Sequence, residues 1–219
     1  MLNALSAATL GFLLGLRHAT DADHVVAVTA IVSRERGFAP AARIGALWGI
    51  GHSLTVIVIG GALVAFRVAI PPRLGLGLEF LVAIVLILLG FSNLRTPAGV
   101  PSAADSHPAH TQLRPLAVGV VHGLAGSAAV AILVLAAIPE TLWALAYLVV
   151  FGLGTIVGMT AITWLIAAPA VLAADRVVRF RRGIRFAAGT LSLLFGLVLA
   201  YEIVVDGGLF RATPSWSPR

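Results

Sequence analysis

A chain of 219 residues that is 59% hydrophobic and only 11% charged, with a mean hydropathy of +1.02, lies outside the range of soluble globular domains and reads as a polytopic membrane protein. Its net charge of +6 comes from arginines that fall mostly between apolar runs, which speaks for orientation in a lipid bilayer and against a nucleic-acid partner. With no cysteine and two methionines, disulfides and thiolate metal sites are excluded, leaving nitrogen and oxygen as ligands for any metal.

In chain order, six segments reach the roughly 20 predominantly apolar residues that a membrane-crossing helix needs. They run from Leu2 to Val32, Ala41 to Phe66, Leu74 to Leu94, Leu116 to Ile138, Glu140 to Leu172 and Gly183 to Val205. The predicted fold class is all-α, a polytopic membrane protein of six transmembrane helices. The opening MLNALSAATL carries no Arg or Lys ahead of its apolar stretch, so it lacks the basic start of a cleavable signal and is expected to stay as the beginning of the first span.

Residues 17 to 24, RHATDADH, put one Arg, two His and two Asp inside that span. On insertion scales an Asp or Arg at a helix centre costs about 2.5 to 3.5 kcal/mol, so Arg17, Asp21 and Asp23 together imply on the order of 8 to 10 kcal/mol before any pairing. Something must compensate. On a regular helix Arg17 and Asp21 pair at i and i+4, His18, Asp21 and His24 follow one drifting face, and Asp23 points elsewhere. His18 and His24 are then separated by about 9 Å of rise. For both imidazoles and Asp23 to reach one ion, the helix must bend, unwind or serve two ions. Thr20 and Asp21 are mediocre helix formers in the right place for such a break.

The second span adds a third imidazole, His52 in GIGHS. Three histidines and two carboxylates in two spans suit a divalent first-row ion; the plainer alternative is an ion-pair cluster that locks the helices. Gly49, Gly51, Gly60 and Gly61 prepare close helix packing, and Ser53 and Thr55 are expected to bond their own backbone. Ser92 and Asn93, near the end of the third span, are either pore-lining or interfacial. Residues 96–114, rich in Pro, Gly, Ser and Ala, form the expected mobile cytoplasmic linker. His107 and His110 there read as solvated loop residues before they read as a metal collector.

The second half, residues 115–206, resembles the first, 1–95, and a tail of 207–219 follows. GLRHATDADHVVAV from Gly15 lies over GVVHGLAGSAAVAI from Gly119, with His18 on His122 and Asp23 on Ser127. WGIGHSLTVIV from Trp48 lies over FGLGTIVGMTA from Phe151, where His52 meets Thr155. Halves of three spans, an odd number, must sit inverted, giving a 3+3 inverted repeat with a site near the midplane. His122 has two readings, a second-half ligand or a hydrogen bond between helices. The first, third and fifth connections carry three, two and five arginines, against four in the other connections and tails; positive-inside then places both termini outside.

RHATDADHVVAV resembles the signature of the nickel/cobalt transporter family, a His, four residues, then Asp-His in a transmembrane helix, and GIGHS resembles the Gly-His-Ser motif of that family's next helix. The resemblance is specific over residues 11 to 60. It implies that His18, Asp23 and His24 are essential metal residues, with His52 as a further one. Larger members have an additional N-terminal helix and acid-bearing motifs in the second half; here GLAGSAAVAILVL holds no acid, which matches the short six-helix branch labelled urease accessory UreH-like. The family implies a secondary permease of the inner, cytoplasmic membrane that transports Ni2+ or Co2+, bound transiently, with no prosthetic group.

The expectation is uptake: a cation sheds water to His18, Asp23, His24 and His52, and one three-helix half rocks against the other to release it. Arg17 orients Asp21, with Ser53, His122, Ser127 and Asn93 as supporting residues. Efflux is the alternative direction. An intramembrane metalloenzyme is the rival class, and no His-Glu-x-x-His pattern favours it. Association into a homo-oligomer is left open.

Overall fold

The computed structural model describes residues 4–33, 37–68, 70–95, 108–138, 140–172 and 178–216, with the backbone alone at 4–7, 108–112, 127–129, 131–133, 135–137, 169–172 and 178–181. Arg34, Arg36, Arg176, Arg219, His107 and most of the linker lie outside the described residues, as do the side chains of His110 and Ser127.

Every regular element among the described residues is helical. The first predicted span is two pieces, α1 (Ala4–His18) and α2 (Ala22–Val32). The backbone leaves α1 through tightened bonds, Thr20 N–H to the Arg17 carbonyl at 2.8 Å and Asp21 N–H to the His18 carbonyl at 3.1 Å. Thr20 Oγ1 adds a third, to Arg17 O at 2.6 Å. Asp21 is extended, with φ −60° and ψ 145°, where α2 begins. The break falls where Thr20 and Asp21 predict it. It also removes the i,i+4 geometry, so among the described residues Asp21 pairs with His18 and not with Arg17.

The second span is continuous: α3 (Phe38–Thr55), a π-helical turn at Val56–Gly60, and α4 (Gly61–Phe66). Then come α5 (Pro72–Arg95), α6 (Pro108–Ala137), α7 (Thr141–Leu172) and α8 (Val178–Tyr201), the last extended by a π-helical turn at Glu202–Asp206. Four helical runs are long and apolar enough to cross a membrane: Phe38–Phe66, Pro72–Arg95, Thr141–Ala168 and Arg182–Asp206. The other two predicted spans differ. One is split into α1 and α2, and within α6 the described apolar stretch is Leu113–Gly126. Large apolar side chains such as Leu54, Phe66, Leu142, Leu165 and Phe186 face outward; they form a lipid-facing surface. The chain is an integral membrane protein.

Helices in lipid gain little from burying apolar surface against one another, so they associate through close backbone approach and hydrogen bonds. α1 runs parallel to α7, since the contacts Gly11 on Tyr147 and Gly15 on Phe151 advance together. α6 runs parallel to α3 in the same manner, through Gly119 on Trp48 and Gly123 on His52. At both seams a glycine meets a carbonyl oxygen with no room for a Cβ: Gly15 at Phe151, Gly119 at Trp48, and in return Gly154 at Phe12 and Gly51 at Leu116. α3 crosses α7 antiparallel, with Gly49 on Ile156 and Gly152 on Ser53, and α5 lies antiparallel on α8 through Gly90 and Gly189. α2 packs on α8, and α6 packs on α5.

Buried hydrogen bonds tie these pairs. Asn93 Nδ2 donates to Ala30 O at 2.6 Å, joining α5 to α2, and Ser192 Oγ donates to Leu86 O at 2.8 Å, joining α8 to α5. Thr55 bonds its own helix as expected, to Gly51 O at 2.9 Å. Ser53 does not: it donates to Gly152 O on α7 at 2.9 Å, because that glycine brings the neighbouring backbone within reach. Beyond the last π turn, Gly208 adopts φ +64° and the tail returns along the start of α5. Arg73 donates to Arg211 O at 3.1 Å, and Trp216 Nε1 donates to Glu79 Oε1 at 2.8 Å.

Candidate metal centre

The break between α1 and α2 brings together what a straight helix keeps apart. His18 and His24 have ring centroids 4.8 Å apart, about half the rise expected of an unbroken helix. His52, the middle residue of Phe38–Phe66, completes a triangle, 5.1 Å from His18 and 5.0 Å from His24. Each of the three offers a ring nitrogen, and these atoms lie within 4.8 Å of one another. His24 and His52 are buried and His18 is partly so.

Two carboxylates set the imidazoles. His18 Nδ1 donates to Asp21 Oδ2 at 2.7 Å, which fixes its proton on Nδ1 and turns the Nε2 lone pair toward the cluster. His24 Nδ1 donates to Asp23 Oδ1 at 3.0 Å, and His24 Nε2 is buried without a hydrogen-bond partner. A carboxylate behind each ring locks its orientation, the arrangement common behind metal-binding histidines. The Nε2 atoms of His18 and His52 stand 3.1 Å apart. Two nitrogens each about 2.1 Å from one ion lie roughly 3 Å from each other, so this pair already has the spacing of neighbouring ligands.

Asp23, expected in the coordination shell, sits behind His24 and outside the three-histidine group. Its other oxygen, Oδ2, is 3.9 Å from His122 Nε2. His122 is 2% exposed, its ring is 5.3 Å from His24 and 5.2 Å from Trp48, and its Nε2 has no hydrogen-bond partner. The structure thus brings His122 to the edge of the cluster, without a bond from Nε2 to another helix. Ser53 and Asn93 are engaged in the helix contacts described above, Arg17 is exposed at the end of α1, and Ser127 falls where only backbone is described.

A cavity of about 340 Å³ lies beside the cluster. His18, His24, His122, Asp21 and Asp23 line it, and so do two residues that sequence reasoning missed, Glu79 on α5 and Glu202 after α8. The signal was present. Each is an acid surrounded by apolar sequence in a predicted span, and an ionisable residue in a span is by default a candidate functional group. Its lining comes from the first half of α5, the last part of α8 and the middle of α6, which places it in the end of the bundle where α5 begins and α8 ends.

No family model matches the chain, and no solved structure does. It is 34% identical to the urease accessory protein UreH of Bacillus sp. (strain TB-90), over 94% of this chain and 96% of that protein. It is also 28% identical, over 73% of its length, to the Arabidopsis thaliana chloroplast protein FOR GROWTH AND FERTILITY 1, of which it spans 49%. The chain belongs to the nickel/cobalt transporter family, in its short UreH-like branch.

Proposed function

We propose that the chain is a secondary permease for a divalent transition-metal cation, nickel first and cobalt second, working in uptake across the cytoplasmic membrane with both termini outside. The observation that carries this is the convergence of three imidazoles from α1, α2 and α3 within 4.8 Å, inside a bundle of apolar helices. Neutral imidazoles favour a borderline ion over magnesium or calcium, which prefer shells of oxygen. His18, His24 and His52 are the ligands in this reading. Asp21 and Asp23 hold two of the rings and supply negative charge close to the cation. Three protein ligands suffice to bind and still allow departure, which permeation requires.

An inverted 3+3 arrangement goes with this function, in which α1 and α2 are one broken span and α6 is its counterpart. The pairing of α1 with α7 and α3 with α6, through glycines at matching positions, supports it. So does the paired packing of α2 on α8 and α6 on α5. Discontinuous helices at the midplane are how such permeases place ion ligands. Metal flux without chemical turnover separates this reading from a metalloenzyme. The test is nickel uptake by proteoliposomes of one orientation: wild-type protein takes up nickel from the side of the termini, and His18→Ala, His24→Ala and His52→Ala each abolish it. Full uptake by all three variants refutes the assignment.

A further inference from the structure

We propose that Glu79 and Glu202, together with Asp23 and His122, form a second cation station in the cavity, where a divalent ion rests with water still bound before it reaches the three histidines. This rests on the permease reading. Four carboxylates, Asp21, Asp23, Glu79 and Glu202, line one cavity in a chain that has nine acids in all, and none of the described lining residues is an arginine. Asp21 and Asp23 hold the histidines. Glu79 and Glu202 bring two more carboxylates to the same cavity from α5 and the end of α8.

Their place along the helices is between the end of the bundle and the imidazoles. Glu79 is in the eighth position of α5, which begins at Pro72, about 10 Å in from its start at 1.5 Å per residue. Glu202 opens the π turn that ends α8. Trp216 of the returning tail donates to Glu79 Oε1 at 2.8 Å and packs against Gly75, so the tail holds that carboxylate at the cavity wall. At the inner end of the same wall, His122 is 2% exposed with an Nε2 that lacks a partner, 3.9 Å from Asp23 Oδ2. A buried imidazole nitrogen and a carboxylate oxygen at that separation are spaced for a passing cation to bridge.

Size and chemistry agree. At roughly 30 Å³ per water, a cavity of about 340 Å³ has room for an ion and its first hydration shell. Carboxylate oxygens set in an otherwise largely apolar wall hold such an ion through its water without stripping it, whereas the histidine cluster offers nitrogen and demands dehydration. A cleft of one charge sign in low-dielectric walls also concentrates its counter-ion and speeds association by about 10-fold or more, an effect that salt weakens.

The two stations are separable by ion preference. Manganese, which favours oxygen, is the probe for the carboxylates, and nickel is the probe for the imidazoles. In the full-length purified protein, manganese binding followed by electron paramagnetic resonance should be lost in Glu79→Gln/Glu202→Gln and kept in His52→Ala. Tight nickel binding should show the reverse. In proteoliposomes the double glutamine variant should raise the KM for nickel about 10-fold, with less effect on the maximal rate and with a flattened dependence on salt. The single variants Glu79→Gln and Glu202→Gln should each fall between, which covers a double variant that fails to fold. Manganese binding absent from wild type, or unchanged by both substitutions with KM unmoved, overturns the second station and leaves the permease reading standing. Nickel binding that survives His52→Ala undamaged defeats the permease assignment itself.

Discussion

The two halves of this chain put similar helices in matching places and different chemistry on them. In the first half the segment after Gly15 breaks at Thr20 and Asp21, and its histidines turn inward. In the second half the matching segment after Gly119 runs through α6 without interruption from Pro108 to Ala137. His122 stands where His18 does, but Ala125 replaces Asp21, so no carboxylate grips its ring and no extended residue follows. On the partner helices the contrast repeats. His52 leaves Nδ1 unpartnered, whereas Thr155 at the matching position satisfies itself on Phe151 O at 3.0 Å. The lesson is that helix packing survives loss of the site: the glycine seams hold both halves alike, and the ion-binding character resides in a few polar substitutions on one of them.

That contrast can be broken most sharply at its centre. His52→Ala should reduce nickel uptake by more than the roughly 10- to 100-fold typical of an orienting partner, while Thr155→Ala should leave uptake intact; equal losses would mean the two positions are equivalent after all. Asp21→Asn and Asp23→Asn come next. Each keeps the ligands and weakens the hold on one ring, so nickel affinity measured by equilibrium dialysis should fall about 10- to 100-fold. The seams are then tested by Gly15→Ala and Gly119→Ala. Each sets a Cβ against a carbonyl oxygen and should cost about 1 to 3 kcal/mol of stability, to the same degree in both halves, read from unfolding midpoints in detergent. The smallest effect is expected at Asn93→Ala, which removes one interhelical bond worth about 0.6 kcal/mol and should leave the KM for nickel unchanged.

Much of the site is legible in the residues because charge inside lipid is so costly that it demands an explanation. RHATDADH and His52 announce themselves, and the poor helix formers Thr20 and Asp21 mark where the span divides. What each carboxylate does is not legible. Spacing on an ideal helix pairs Asp21 with Arg17, but the break that makes the site also cancels that spacing and hands Asp21 to His18. Glu79 and Glu202 lie more than a hundred positions apart in the chain, and only the antiparallel packing of α5 on α8 brings them to one cavity. Ser53 illustrates the same limit on a smaller scale. Nothing in GIGHS tells whether its hydroxyl turns to its own helix or to a glycine on another.

The glycine seams also decide which parts of the protein can slide. Rocking one three-helix half against the other, the movement that a simple repeat suggests, would pull α1 from α7 and α3 from α6, where backbone touches backbone. Those four helices act mechanically as one frame. The packing of α2 on α8 and of α6 on α5 has no such glycine seam among the described residues, and the cavity opens between these helices at one end of the bundle, so the natural paddle is the α5–α8 pair swinging against that frame. Because the chain contains no cysteine, a single engineered disulfide clamp between α5 and α6 would arrest the swing without a competing thiol.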